Sequence, residues 1–211
     1  MTAPRRALIV VDIQQEYFDG PLEIQYPPRE VSLANTVTAL EVARENDVPV
    51  VVVQHQMPEG APVFIEGSTG WSLHPDIEKN VDPSSKRVHK HFGSVFAGTD
   101  VAEWLRENNI DTITIAGFMT NNCDLATAVE AEGLGFAAEI LSDASGAIHL
   151  ANEAGKVSAE DLHSTLMVLF QSNFAAVATT AEWTDAVKAG SDLTKSNLVV
   201  SALDGRSVAA G

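Results

Sequence analysis

The sequence predicts an α/β fold in which a largely parallel sheet is covered by helices on both faces. Apolar runs rich in β-branched residues alternate along the chain with segments of helical character. Strands separated by helices need crossover connections, and such connections make the strands parallel. The strongest runs are apolar throughout, as expected for strands that are buried on both faces.

Six segments have the composition and length of strands. The first is ALIVVDI, in which an apolar run ends at Asp12. The segments lie at 7–13, 48–55, 86–92, 111–118, 136–143 and 174–179. Helical segments follow or separate them, which favours a doubly wound domain.

Five segments have helical character. The first, PREVSLANTVTALEVARENDV, has apolar residues at helical spacing, and the others lie at 99–109, 123–133, 158–171 and 180–190. We expect Gly133 to end the helix that starts at Cys123. The segment 56–85 is rich in proline and glycine and is long for a loop, so we expect it to form a lid or a pocket wall. We assign residues 1–190 to one domain and 191–211 to a C-terminal tail.

Composition restricts the partners and the compartment. The net charge of −16 and the pI near 4.6 disfavour nucleic acids and anionic membranes, although a pocket with its own positive charge could still admit an anionic substrate. The single cysteine excludes an internal disulfide and a cysteine-based zinc cage. No apolar segment has the form of a signal peptide or a membrane span, so we expect a cytoplasmic protein.

Two polar clusters lie where predicted strands end. Asp12 ends the first strand, and the segment from 118 to 123 follows the strand at 111–118. Ligands of open parallel sheets bind outside the carboxyl ends of the strands, where the strand order reverses. If the order is 3-2-1-4-5-6, Asp12 and Cys123 share a crevice. Alternatively, Asp12 only caps a turn; a phosphatase-like DxD motif is excluded because Gln14 stands at its second position.

The stretch GFMTNNCDLATA places the only cysteine where a helix is predicted to begin. Free cysteines are usually buried and inert, which is one interpretation of Cys123. The other is that Thr120, Asn121 or Asn122 caps the helix and leaves the thiol near unpaired N–H groups at the positive end of the dipole. Those groups favour the thiolate and could also bind an oxyanion.

A thiolate also benefits from a nearby base or cation. In RVHKHF, strand alternation places Lys90 on one face and turns His89 and His91 to the other. Lys90 is therefore a candidate partner of Cys123 if its face is the crevice side. The alternative is an ordinary solvated lysine.

Three fragments carry a resemblance to a known family. VVDIQQEYF, KHFGSVFAGTDVAEWLRENNI and ITIAGFMTNNCDLATAVEAEGLGF occur in this order, and the resemblance runs from about residue 6 to 180. The chain resembles the isochorismatase-like cysteine hydrolases, which include nicotinamidases, N-carbamoylsarcosine amidohydrolases and ureidoacrylate amidohydrolases. The resemblance implies a Rossmann-like three-layer α/β/α domain with a six-stranded parallel sheet. It also implies a homo-oligomer, either a dimer or a tetramer.

The resemblance also implies the site. Asp12, Lys90 and Cys123 would form a catalytic triad in which Cys123 attacks a carbonyl carbon, Asp12 moves the proton and Lys90 stabilises the charged pair. The Phe118–Met119 peptide would be cis, and the backbone N–H groups of Met119 and Cys123 would bind the oxyanion.

Two departures refine the expected activity. Nicotinamidases bind a metal through an Asp-x-His motif and a further histidine, whereas the matching region here begins with VVVQHQMPEGAP, which includes His55, and continues to His74 without that motif. We therefore expect no metal and no cofactor. Isochorismatases that cleave a vinyl ether lack the cysteine, so Cys123 favours a cysteine amidohydrolase that acts on a small carboxamide or ureido compound through a thioester. The alternatives are an isochorismatase-type or lactam hydrolase on the same fold and a catalytically silent assembly domain.

Six further residues are candidates for the wall of a substrate pocket. Each lies near a triad residue in sequence or in the long loop, and each could equally be a packing residue. They are Tyr17, Phe18, His55, Trp71, Phe96 and Asn122. Aromatic side chains beside a carbonyl-directed site suit a flat small-molecule substrate.

Overall fold

The computed structural model describes residues 3–210 and contains one main sheet. Its strands, together with those of a short hairpin, are Arg6–Val11 (β1), Val50–His55 (β2), Lys86–Lys90 (β3), Thr112–Phe118 (β4), Ala137–Gly146 (β5), Leu150–Asn152 (β6), Gly155–Val157 (β7) and Ala176–Ala178 (β8). The order in the main sheet is β3-β2-β1-β4-β5-β8, and all of its pairs are parallel. The sequence did not predict the β6–β7 hairpin, whereas the six-stranded parallel sheet is confirmed.

Helices cover both faces of the sheet. They are Glu16–Asp19 (α1), Arg29–Glu45 (α2), Pro75–Asn80 (α3), Val101–Glu107 (α4), Leu125–Leu134 (α5), Ala159–Leu169 (α6), Thr180–Ala189 (α7) and Leu198–Asp204 (α8). One core cluster joins alternate residues of β1, such as Ile9, to α4, α5 and α6, and the other joins Leu8 and Val10 to α2 and α7. This alternation explains why β1 is apolar on both faces, and it confirms the three-layer α/β/α architecture.

The strand order places the carboxyl ends of β1 and β4 side by side. Val11 pairs with Gly117 in the parallel register of these strands. Gly117 has φ +136°, and a Cβ atom there would lie 2.0 Å from the carbonyl oxygen of Val11. Only glycine permits this close approach, which brings Asp12 near the segment that follows β4.

The start and end of the helix that follows β4 differ from the prediction. A π-helical turn, Thr120–Asp124, precedes α5, and none of its side chains caps the helix; Met119 occupies the cap position without a side-chain bond. The helix ends at Gly135, whose φ of +84° is the left-handed conformation of a C-cap, and not at Gly133. Cys123 therefore lies inside a helical turn.

Two segments contain more regular structure than the sequence indicated. The loop at 56–85 includes α3, and the tail includes α8 and a 3₁₀ turn at Gly205–Ala210. Gln171 donates to the carbonyl of Thr194 and Lys195 donates to that of Asn173, so the tail is fixed against the end of α6. None of the helices within residues 3–210 has both the length and the apolar character required to cross a bilayer.

Candidate active site

Asp12 is fully buried at the end of β1. Its backbone has φ +50°, an uncommon conformation for a residue with a side chain, and its N–H donates to the carbonyl of Val53 at 3.0 Å. The carboxylate thus points from the centre of the sheet into the space between β1, β2 and β4. The structure places Asp12 in the crevice that the strand order predicts.

Lys90 is the last residue of β3, and its side chain is almost completely buried. His89 and His91, on either side of it, are exposed. The predicted alternation is therefore confirmed: the lysine lies on the crevice side, and the two histidines point away from it. The alternative of a solvated lysine is wrong.

The ammonium of Lys90 joins the other two residues of the expected triad. Its Nζ lies 2.7 Å from Oδ2 of Asp12 and 3.2 Å from Sγ of Cys123. It also contacts Nδ1 of His55 at 3.0 Å and donates to the carbonyl of Phe92 at 3.1 Å. Asp12, Lys90 and Cys123 are each at most 2% exposed. The structure thus brings together three residues that lie far apart in the sequence.

The electrostatics of the site differ from the expectation of a resting thiolate. Burial raises the pKa of the Cys123 thiol, and the Asp12 carboxylate raises it further, whereas Lys90 only partly opposes these effects. Burial also raises the pKa of Asp12, against the effect of Lys90. Burial by itself lowers the pKa of Lys90, but Asp12 and Cys123 outweigh it and the net shift is upward. The resting site is therefore a thiol beside an ammonium–carboxylate pair.

His55 is neutral at pH 7. Burial, followed by the charges of Lys90 and His91, lowers the pKa of His55 to about 4. Nδ1 therefore accepts a hydrogen bond from Lys90, and the proton resides on Nε2, which contacts Sδ of Met57 at 3.3 Å. His55 thus belongs to the hydrogen-bond shell of the lysine, a role that the sequence did not indicate.

The residues that are present do not fit a bound metal. Asp12, His55 and Cys123 offer one ligand atom each within 4.8 Å of one another, but Lys90 contacts the side chains of all three. A second cation would have to displace the ammonium. His74, the other histidine of that region, instead accepts from the N–H of Asp76 at the start of α3, and its ring packs on Phe18.

The segment before the π-helical turn Thr120–Asp124 has the expected backbone. The Phe118–Met119 peptide is cis, as the resemblance predicts. The carbonyl of Met119 accepts from the N–H groups of Asn122 and Asp124, which flank Cys123. This arrangement fixes the backbone of the turn around the sulfur.

Thr120 in the same turn contacts a histidine that the sequence did not single out. Its Oγ1 lies 3.0 Å from Nδ1 of His163 on α6. Nε2 of His163 contacts the carbonyl of Ser142 at 3.0 Å, and burial lowers the pKa of this histidine to about 4. Neutral His163 thus donates to Ser142 and accepts from Thr120, which anchors the π-helical turn to α6.

Asp124, the last residue of the turn, is fully buried. Among the described residues, neither of its carboxylate oxygens has a hydrogen-bond donor. Burial, and then the charge of Asp12, raises its pKa well above the ordinary value. The Ser145 hydroxyl and the charge of Lys90 oppose this shift only in part.

Two of the predicted wall residues, Tyr17 and His55, lie beside the triad. Tyr17 is buried, and burial followed by the charges of Cys123 and Asp12 raises its pKa well above the ordinary value. Its ring packs on Phe64, which in turn contacts the ring of His55. Phe64 is an additional buried aromatic residue from the long loop. The only signal for it was an apolar side chain within a segment rich in proline and glycine.

Four wall predictions need correction or qualification. Phe96 stacks on Phe136 inside the core, and Phe18 packs against His74 and Phe118. Trp71 lies edge-on to His89, on the face of β3 opposite Lys90. The carbonyl of Trp71 accepts from the buried amides of Gln14 and Gln54, which fix this position. These three rings contact other aromatic groups and none is paired with a ring of the triad side, whereas Asn122 is exposed next to Cys123.

Comparison with known proteins agrees with this architecture. The chain is 30% identical over 182 residues to the isochorismatase family protein YddQ of Bacillus subtilis, covering 82% of this chain and 96% of that protein. It is 25% identical over 158 residues to the maleamate amidohydrolase of Pseudomonas putida, covering 68% and 73% of the two chains. A crystal structure of an isochorismatase-class protein from Burkholderia xenovorans LB400 matches with a TM-score of 0.96 and 45% identity over the whole of both chains.

The family model of the isochorismatase domain matches residues 6–182, which confirms the resemblance that the three fragments carry. The match includes Asp12, Lys90 and Cys123. The chain belongs to the isochorismatase family of hydrolases.

Proposed function

We propose that the protein is a metal-free cysteine amidohydrolase that cleaves a C–N bond of a small carboxamide or ureido compound. The observation that carries the proposal is the contact of one buried ammonium, that of Lys90, with both the Asp12 carboxylate and the Cys123 sulfur. This arrangement offers a nucleophile, a proton acceptor and a cation within one crevice. The name of the maleamate amidohydrolase supports the same class of bond.

In the first step, the sulfur of Cys123 attacks the carbonyl carbon while Asp12 accepts the thiol proton. The raised pKa of Cys123 favours transfer of the proton together with attack over a preformed thiolate. A C–S bond forms, and the electron pair of the C=O π bond moves to the oxygen. We assign the backbone N–H groups of Met119 and Cys123 to this oxyanion.

In the second step, the C–N bond breaks, and Asp12 returns its proton to the leaving nitrogen. Ammonia or an amine departs, and the acyl group remains on Cys123 as a thioester. Asp12 then takes a proton from water, whose oxygen attacks the thioester carbon. Cleavage of the C–S bond releases the acid, and the sulfur of Cys123 regains its proton.

A panel of small amides and ureido compounds tests this proposal through release of ammonia. We expect the wild-type protein to release ammonia from at least one member and Cys123→Ala to release none. Opening of a lactam without release of ammonia, or cleavage of an enol ether to a carbonyl compound, would place the chain with the other hydrolases of this fold. Lack of turnover across all three classes would favour a silent assembly domain.

Exhaustive treatment with EDTA is expected to leave the hydrolytic rate unchanged. The physical reason is that the Lys90 ammonium already lies among Asp12, His55 and Cys123. The measurement is the rate of ammonia release before and after chelation, and again after addition of zinc. Loss of activity with EDTA and its recovery with zinc would contradict the assignment.

We also propose that two copies of the chain associate through α8 and the adjoining end of α6. Leu198, Val199, Val200 and Leu203 of α8 are between 46 and 67% exposed, and Val168 of α6 is 71% exposed. Two copies with a net charge of −16 repel one another, so they must meet through a face that is poor in acidic groups. Residues 193–210 provide such a face, because they contain two basic residues and one acidic residue.

Light scattering at micromolar protein is expected to give at least twice the chain mass. The double substitution Leu198→Glu with Leu203→Glu should give the monomer mass, because it introduces charge into the apolar contact. Val31→Glu, at a position on α2 that is 47% exposed, is the matched control and should leave the mass unchanged. A monomeric wild-type protein would refute self-association, and an oligomeric double variant would exclude this face.

A further inference from the structure

The Lys90 ammonium has more hydrogen-bond acceptors than it can serve. A protonated lysine has three N–H bonds. Four acceptors surround its Nζ at 2.7–3.2 Å: Oδ2 of Asp12, Nδ1 of His55, the carbonyl oxygen of Phe92 and Sγ of Cys123. One of these contacts therefore lacks a proton at any moment.

The charge on the sulfur decides which contact that is. A neutral thiol is a weak acceptor, so in the resting protein the three N–H bonds go to the other atoms. A thiolate, or the sulfur as it loses its proton, is a strong anionic acceptor. One of the three partners must then give up its N–H bond to the sulfur of Cys123.

When the thiol loses its proton to solvent, as in the substrate-free protein, Asp12 stays charged and does not release its bond readily, because the pair is fully buried and is the shortest of the four contacts. The Phe92 carbonyl is a backbone group that lies only two residues beyond the lysine and moves with it. His55 is different. Its imidazole is neutral and only partly buried, and it turns on its own side-chain bonds.

We propose that His55 is a positioning residue that binds one N–H of Lys90 at rest and yields it to Cys123 when the thiol ionises in the substrate-free protein, where Asp12 keeps its charge. His55 thereby limits the acidity of the nucleophile. The Nε2 contact with Sδ of Met57 directs Nδ1 of the ring toward the lysine. This inference rests on the role of Cys123 as the nucleophile in the proposed function.

Other titratable groups face the same cluster and are left unchanged in the test. Asp12, Asp124 and Tyr17 lie within the crevice. Asp12 raises the pKa values of Cys123, Asp124 and Tyr17. His91 acts on His55 from the exposed side. The experiment must therefore change only the acceptor at position 55.

The test is the rate of alkylation of Cys123 by iodoacetamide at pH 8 without substrate. Because the chain has one cysteine, the total label reports on this sulfur alone. The thiolate is the reactive form, so its fraction sets the rate. We expect His55→Phe, which has no acceptor, to react about tenfold faster than the wild type, a shift of about one pKa unit.

His55→Asn is the matched control, because its amide oxygen occupies a place close to that of Nδ1 and accepts from the lysine. We expect it to react at nearly the wild-type rate. Asparagine is smaller than histidine and phenylalanine is larger. If the rates reflected only the access of iodoacetamide to the sulfur, His55→Asn would therefore react faster than His55→Phe. His55→Leu, which also lacks an acceptor, provides the same comparison if phenylalanine is not accommodated.

Wild-type or slower alkylation of His55→Phe would overturn the proposal, as would equal acceleration of His55→Asn and His55→Phe. The experiment does not depend on amide turnover. Failure of the amidase assignment would appear only in the ammonia assay, whereas failure of the His55 role would appear only in the alkylation rates.

Discussion

Cys123→Ala is expected to reduce amide hydrolysis by about 10⁶ and to leave the protein folded. Loss of the proposed nucleophile removes the covalent route, and loss of the nucleophile of a serine protease costs about 10⁶ in kcat. The side chain is small and belongs to the core cluster that includes residues of α5, so its truncation should cost only about 1 kcal/mol of unfolding free energy. Ammonia release and thermal unfolding measure the two effects separately.

Cys123→Ser is the matched variant, because it preserves the shape of the side chain and replaces the sulfur with a poorer nucleophile. It should also be inactive or nearly so. If Cys123→Ala turned over the substrate at an undiminished rate, the sulfur could not be the nucleophile, and the contact with Lys90 would have another purpose.

Lys90→Ala is expected to lower hydrolysis by at least about 10³ and to slow the alkylation of Cys123. Lys90 is the group that lowers the pKa of the thiol, so its loss raises that pKa further and decreases the thiolate fraction at any given pH. It also leaves the Asp12 carboxylate buried without its partner, which typically costs about 3–5 kcal/mol of unfolding free energy. The pH dependence of alkylation and the midpoint of urea unfolding test both parts.

His89→Ala and His91→Ala are the matched controls for the lysine. Both residues are exposed on the opposite side of β3, so the alkylation profile should change little in either variant. If one of these histidine variants shifted the profile and Lys90→Ala did not, a cysteine–histidine pair would replace the proposed arrangement.

The strands of the sheet and the separation of Lys90 from its neighbouring histidines were predictable from local patterns, whereas the meeting of Asp12, Lys90 and Cys123 was expected from the family resemblance. Continuous apolar runs define β1 and β4, and the polar residues that end them mark the crevice. Alternation within β3 places Lys90 apart from its neighbouring histidines. Pairing of β1 with β4 then brings Asp12 and Cys123 together.

The acidity of Cys123 was not predictable, because it depends on burial and on two opposite charges that only the folded chain brings into contact. The position at a helix start indicated a thiolate, yet burial and Asp12 outweigh Lys90. The first turn is also π-helical, and the polar residues before the cysteine do not cap it. Propensity alone does not distinguish these geometries.

The pocket wall was the least predictable part of the site. Phe96 was selected because it follows Lys90 and Trp71 because it lies in the long loop, and in the structure they lie against Phe136 and His89. His55 was selected as a wall residue, and its hydrogen bond to Lys90 became evident only from the pairing of β2 with β3. Helix α8 was missed because it is short and has no buried residue that would produce a clear apolar periodicity.

The most direct test of the central claim is the mass of the protein after rapid acid quenching during the first turnover of an amide that it hydrolyses. The account predicts a fraction of molecules that are heavier by the acyl part of the substrate, with the added mass on the peptide that contains Cys123. That adduct should be absent in Cys123→Ala and should disappear when the substrate is exhausted. Release of ammonia during the first turnover while Cys123 stays unmodified at every quench time would contradict the account.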